Sequence, residues 1–150
     1  MLEDTLNQDL KAALLAGDKT LATTLRGLKS SLLYSKIANG SRDRAMTDDE
    51  VIAVFQKEAK KRQESANLYR QGGSEERATA ELQEKAVIEK YLPAQLSEAE
   101  VEKFVEDAIT VLGAEGPSAM GAVIGHVKQA AGPAVDGSVI ARIAKEKLAR

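Results

Sequence analysis

The chain has 150 residues, of which 43% are hydrophobic and 29% charged, and its formal net charge is −2, a composition typical of a folded protein with one domain or two small ones. It contains no cysteine, which excludes disulfides, thiolate metal sites and a cysteine nucleophile, and one histidine, His126, which excludes a multi-histidine metal site within one chain. The acidic start of the sequence is unlike a signal peptide and no apolar run reaches membrane length, so we expect a cytoplasmic protein with no membrane partner.

Leucines spaced three or four residues apart predict two consecutive amphipathic helices at the start of the chain. Gly17 ends the first helix, and Asp18 caps the second. The second helix extends to Ala38 and stops at Asn39-Gly40. The apolar positions are Leu2, Leu6, Leu10 and Leu14 in the first helix and Leu21, Leu25, Leu28 and Leu32 in the second.

Two charged helices are predicted in the middle of the chain. Thr47 and Glu50 form a capping box that starts a helix over 47–71. After two glycines, a second helix spans 74–92 and stops before Pro93, because a proline disfavours helical geometry in the residue that precedes it.

Three shorter helices separated by glycine and proline turns are predicted in the last third of the chain. Ser97 and Glu100 suggest another capping box, for a helix over 97–112. Ser118 is expected to cap a helix over 120–131, and either Asp136 or Ser138 to cap the last one.

These elements predict an all-α fold in two parts, since no segment has the alternation of a half-buried strand. The first part is a long-helix hairpin or bundle over residues 1–93. The second is a compact three-helix module over residues 94–150.

Two glycines four residues apart, Gly121 and Gly125, interrupt an apolar helical pattern. A glycine inside a helix costs about 1 kcal/mol relative to alanine. Two on one face therefore indicate that something approaches the backbone closely there. It could be a neighbouring helix, such as the last one, or a ligand or phosphate backbone, and the sequence leaves both open.

Charge is unevenly distributed along the chain. An acidic helix over 98–107 precedes a mildly basic end that includes Lys128, Arg142 and Lys145. This pattern is compatible with an anionic partner, although it lacks the strong basic bias of a dedicated nucleic-acid binder.

A second basic cluster lies on the helix over 47–71. Lys57, Lys60 and Lys61 share a face by their spacing, and Arg62 follows them. Both a solvated face with ion pairs and an anion-binding face fit this pattern. Single-strand base stacking is not expected, because no aromatic residues are interleaved.

Catalytic motifs are absent from the sequence: it has no phosphate-binding loop, dinucleotide fingerprint or zinc-protease motif. Lys29, Ser30 and Ser31 resemble an amidase set in residue type only, because adjacent helical positions point in different directions. We expect no catalytic residue, no cofactor and no metal site.

Five segments together resemble the YqeY family, which is related to the C-terminal tail domain of the GatB subunit of tRNA-dependent amidotransferase. The combination of a Tyr-Leu-Pro-x-Gln-Leu-Ser segment with a later Met-Gly helix is specific, and the resemblance covers essentially the whole chain. The segments are Leu25–Lys29, Thr47–Ile52, Lys57–Ser65, Glu89–Ser97 and Met120–Gly125.

The resemblance implies an all-helical, two-part protein whose tail module contacts tRNA away from any chemistry. Ile124 departs from the family pattern, which often has a second methionine there, and the change preserves an apolar packing role. The implied tRNA-binding candidates are Met120, Gly121, Gly125, Lys128, Gly132, Arg142 and Lys145, with Lys57, Lys60, Lys61 and Arg62 as a secondary basic face.

The leading hypothesis is a non-catalytic tRNA-binding or adaptor module related to amidotransferase. One alternative is a protein-interaction module without RNA, in which the acidic helix or the leucine-rich hairpin binds a partner such as a translation-related protein. Another alternative is a component of a glutamine-dependent carbon-nitrogen ligase that amidates aminoacyl-tRNA. The sequence argues against it, because it contains neither an ATP site nor an amidase triad.

Overall fold

The computed structural model describes residues 1–149, which contain seven α-helices, two short 3-10 helices and no strand. The all-α prediction is therefore confirmed. The contacts divide the chain between Leu92 and Pro93. Unit 1 is residues 1–92 and unit 2 is residues 93–149, and each has its own hydrophobic core.

Unit 1 consists of four helices. Helix α1 packs against α2 and α3 packs against α4, while α2 also contacts α3. Buried side chains from the two pairs form one core, which includes Leu6, Leu25, Leu28, Phe55 and Ile88. The helices are α1 (Leu2–Ala16), α2 (Lys19–Ala38), α3 (Asp48–Gln71) and α4 (Glu75–Glu89).

The helix ends of unit 1 follow local sequence signals. Gly17 ends α1 with φ 72°, a left-handed conformation that glycine adopts without strain. The Asp18 carboxylate accepts a hydrogen bond from the Leu21 N–H at 3.1 Å and so caps α2. Thr47 and Glu50 form the predicted capping box of α3.

Helix α4 ends at Glu89, three residues earlier than predicted. The next three N–H groups bond to carbonyls three residues back, so the chain tightens into a turn. The ring of Tyr91 then packs edge-on against Phe55, with 5.6 Å between centroids, and its hydroxyl donates to Asp9. These contacts give the turn a tertiary support that the local sequence does not reveal.

Unit 2 consists of three helices around a core of branched side chains. Val101, Val105, Val123, Val127 and Ile140 are fully buried. The N–H of Leu96 donates to the carbonyl of Ala134 at 3.0 Å, which joins the entry of the unit to its last turn. The helices are α5 (Glu98–Leu112), α6 (Met120–Ala131) and α7 (Gly137–Leu148), with 3-10 helices at Pro117–Ala119 and Gly132–Ala134.

Ser118 does not cap α6, contrary to prediction. It lies inside the 3-10 helix Pro117–Ala119, which continues directly into α6, so that the cap position falls on Ala119 without a side-chain hydrogen bond. At α7 the cap is Asp136, whose carboxylate accepts from the Ser138 N–H at 2.8 Å. That bond decides between the two predicted caps.

No single helix within residues 1–149 has the length and apolar character needed to cross a membrane. Two consecutive segments, Glu98–Leu112 and Pro117–Ala134, are long and apolar enough when taken together, but the chain bends by 104° between them.

Candidate nucleic-acid interface

The two glycines of α6 lie on its solvent face. Because an α-helix turns about 100° per residue, Gly121, Gly125 and Lys128 fall within about 60° of one another around the axis. All three are exposed, while Val123 and Val127 point to the opposite side and are fully buried. These three exposed residues are called the glycine stripe below.

The space above the two glycines is open. A β-carbon built at Gly121 or at Gly125 would find no atom within 4 Å. The last helix, α7, joins the core on the other side of α6, where Ile140 and Ala144 are buried. The glycines therefore do not serve the packing of α7, and that alternative is wrong.

Two other candidates on or beside α6 have internal explanations. Gly132 has φ 67° and ψ −151°, a region that side-chain-bearing residues rarely adopt, so the turn itself requires glycine there. Met120 is partly buried and packs against the core of unit 2, as does Ile124. Met120 thus lies away from the glycine stripe.

Lys128 extends from α6 to the first residue of α7, Gly137. A β-carbon at Gly137 would lie 3.1 Å from Cε and 3.2 Å from Nζ of Lys128, so the lysine occupies the space that a side chain would need. This contact was not foreseen from the sequence, where the two residues are separated by a glycine-proline turn. It places a cation beside the start of α7.

The two cations predicted on α7 have different surroundings. Arg142 forms an ion pair with Glu98 of α5 and a second with Glu146 at 3.7 Å. Lys145 is exposed and forms no ion pair within residues 1–149. The charge of Arg142 is therefore partly neutralised internally, whereas that of Lys145 is available to an outside anion.

The acidic helix and the basic end of the chain neutralise each other. Lys147 Nζ lies 2.8 Å from a carboxylate oxygen of Glu102 and 2.8 Å from one of Glu106. Hydrogen bonds and charge from these two carboxylates raise the pKa of Lys147. The four-residue spacing of Glu98, Glu102 and Glu106 was the sequence signal for a common acidic face, but its partner helix could not be read from it.

The secondary basic face on α3 is divided between surface and interior. Lys57 and Lys60 are exposed, and Lys61 is exposed while pairing with Glu58 at 3.5 Å. Arg62 is largely buried and is bound to Glu58 and Glu84. Arg62 therefore connects α3 to α4 and is not exposed for phosphate contact.

Glu58 is the buried centre of this ion-pair group. Burial opposes its ionisation, but the hydrogen bond and the charge of Arg62 outweigh burial and keep the pKa of Glu58 below its usual value. An ionised glutamate this deeply buried depends on its partners.

Residues 1–149 contain no group of three or more histidine, aspartate or glutamate side chains placed to hold a metal ion. The Ser31 hydroxyl donates to the Gly27 carbonyl of its own helix at 3.1 Å.

A family model described as "Yqey-like protein" matches residues 3–148, nearly the whole chain. No curated protein matches the sequence. The family match confirms the resemblance to the YqeY family.

Proposed function

Since the chain belongs to the YqeY family, we propose that it is a non-catalytic adaptor that binds tRNA through unit 2, with the glycine stripe as the contact. One observation carries the proposal: Gly121 and Gly125 lie exposed in a helix, and a β-carbon at either position would have no neighbouring atom within 4 Å beyond its own stretch of helix. They weaken α6 and serve no packing within the described residues.

An RNA backbone can use such a surface. A helix face without β-carbons lets a sugar-phosphate chain approach the helix more closely than alanine or leucine would permit. Double-stranded RNA is recognised mostly through its shape, its phosphates and its 2′-hydroxyls. The glycine stripe therefore supplies a contact that depends on shape more than on sequence.

Exposed cations supply the electrostatic part of binding. Lys128 lies in the stripe itself, and Lys145 is exposed on α7 and forms no ion pair with any of residues 1–149. Arg142 must give up Glu98 or Glu146 to meet a phosphate, so it contributes less. Lys57 and Lys60 on α3 form a secondary basic face that strengthens binding at low salt.

Fluorescence anisotropy with labelled total tRNA, at about 50 and 150 mM salt, tests the proposal. We expect binding that weakens as salt rises, because phosphate contacts release counterions. The double variant Lys128→Met, Lys145→Met should reduce the slope of log K against log salt by about 2. Lys103→Met, which removes an exposed lysine of α5, is the matched control and should bind as the parent does.

Three results would contradict the proposal. They are no binding at low salt, binding that does not change with salt, and a control variant that loses as much affinity as the double variant. Amide transfer by the purified protein, given glutamine, ATP and misacylated tRNA, would contradict its non-catalytic part and favour the ligase alternative.

A further inference from the structure

Helix α2 carries an exposed stripe that differs from the glycine stripe in both chemistry and location. Arg26, Lys29, Leu33 and Ile37 fall within about 80° around the helix axis. Leu33 is 50% exposed and Ile37 is 53% exposed, and the adjacent Tyr34 is 75% exposed. Cations occupy the first half of this α2 stripe and apolar side chains the second.

A cleft between α1 and α2 runs beside the α2 stripe. Its volume is about 450 Å³, and its lining is mostly apolar. Leu6 of α1 and Leu32 of α2 are buried beneath the cleft, and Leu33, Arg26 and Lys29 border it. A single side chain or short apolar segment of a partner fits a space of this size.

The charges at the cleft leave an excess of positive charge. Lys36 is paired with Glu3, whose carboxylate also accepts a hydrogen bond from the Met46 N–H at 3.1 Å. Arg26 and Lys29 form no ion pair within 4 Å in residues 1–149, although the charge of Lys29 also acts on Glu3 and helps to lower its pKa. Three cations, Arg26, Lys29 and Lys36, thus face the single carboxylate of Glu3, and the edge of the cleft keeps a net positive charge.

We propose that the α2 stripe and its cleft bind an acidic amphipathic helix of a partner protein. Apolar residues of that helix enter the cleft beside Leu33 and cover Tyr34 and Ile37. Its aspartates or glutamates meet Arg26 and Lys29. Helix-in-groove binding uses this combination of apolar anchors and complementary rim charge, and exposed tyrosines are favoured anchors.

A protein partner fits this surface better than RNA does. The surface of the lining is mostly apolar, and RNA, which is contacted mainly through its phosphates and sugars, gains little from covering apolar surface. Neighbouring exposed leucine, isoleucine and tyrosine form a patch of the kind that marks protein interaction sites. The two proposed surfaces share no residue, so each can be tested with variants that leave the residues of the other unchanged.

The test is amide NMR of the whole ¹⁵N-labelled protein with two designed peptides of about 18 residues. Both carry leucines at helical spacing; one has glutamates on its other face and one has lysines. We expect the glutamate peptide to shift amides of α1 and α2, and the lysine peptide to bind at least about tenfold more weakly.

Variants assign the effect to the proposed residues. Arg26→Glu, Lys29→Glu should weaken the glutamate peptide about tenfold and favour the lysine peptide, while Lys11→Glu, an exposed control on α1, should leave both unchanged. Leu33→Ala should weaken both peptides. Equal affinity for the two peptides, no shifts at millimolar peptide, or shifts at α2 produced by tRNA in place of peptide would overturn the proposal.

Discussion

The two units differ in whether another side chain lies over the glycines inside their helices. In unit 1, the guanidinium of Arg62 lies 3.9 Å from the position of a β-carbon at Gly27, so the protein covers this glycine with its own side chain. In unit 2, nothing lies within 4 Å of the same position at Gly121 or Gly125. The same residue type therefore indicates an internal contact in one unit and leaves an open surface in the other.

Cations in the two units also differ in whether they are enclosed by the protein's own carboxylates. Arg62 is enclosed by Glu58 and Glu84 and holds helices together. Lys128 is exposed on the open face of α6, and Lys145 is exposed on α7. A basic cluster in a sequence can thus be structural or available for binding, and the positions of the carboxylates determine which.

Removing Arg62 should have the largest effect on stability. Arg62→Met leaves Glu58 charged and largely buried, which we expect to lower the free energy of unfolding of unit 1 by about 3 kcal/mol. Urea denaturation followed by tyrosine fluorescence measures this, because all three tyrosines lie in unit 1.

Lys61→Met is the matched control, since Lys61 pairs with the same carboxylate but its side chain is 69% exposed. It should lower stability by less than about 0.5 kcal/mol. Similar losses for the two variants would show that Arg62 is not a buried structural residue, and the contrast between the units would fail.

Acid should weaken unit 1 through carboxylates that are stabilised in their ionised form. Contacts with Lys36 and with the Met46 N–H outweigh burial and lower the pKa of Glu3; Arg62 lowers that of Glu58, and a hydrogen bond from Arg44 lowers that of Glu50 to about 2. A pKa lower in the folded state gives stability that is present above pH 4.5 and is lost as pH falls through the folded value.

The urea midpoint of unit 1 should therefore fall steadily from pH 4.5 toward pH 2. Glu50→Gln should make the fall shallower in the lower part of that range. A midpoint that stays constant down to pH 2.5, or an unchanged profile in the variant, would be evidence against these ion pairs.

Filling the open glycines should stabilise unit 2. Gly121→Ala and Gly125→Ala each add helix propensity and meet no atom, so each should raise stability by about 0.5–1 kcal/mol. Gly113→Ala is the contrasting variant, because Gly113 ends α5 at φ 60°, and should lower stability by about 1 kcal/mol. Amide hydrogen exchange in unit 2 measures both, and destabilisation by the α6 variants would mean that the stripe is packed.

Single charge removals on α7 should have the smallest effects. Lys145→Met should weaken tRNA binding about threefold, and Arg142→Met less than twofold, since Glu98 and Glu146 already share the charge of Arg142. Anisotropy at low salt distinguishes the two. The reverse order would indicate that Arg142 exchanges its partners freely for phosphate.

Local signals predicted most of the helices and their ends. Leucine spacing, the Thr47 capping box and the glycine stops act within a few residues, so they are legible in the sequence. The end of α4 and the cap of α6 were predicted wrongly, because Tyr91 uses contacts with Phe55 and Asp9, and Pro117 begins a 3-10 turn that contains Ser118.

The sequence could not predict which candidate residues are exposed and which are paired with other side chains. Whether Gly121 is covered depends on which side of α6 receives α7, and whether Arg142 is paired depends on α5 lying beside it. Arg62 likewise matches its exposed neighbours in residue type and differs from them only by tertiary position. These are properties of helix packing, which spacing along one helix does not encode.

The most direct test of the glycine stripe measures stability and tRNA affinity on the same variant. Gly121→Leu, Gly125→Leu should remain folded, with unit 2 at least as stable as in the parent, and should lose tRNA binding at low salt. Ala122→Leu adds the same bulk about 100° away on α6 and should keep binding. Full affinity in the folded glycine variant would contradict the proposed interface.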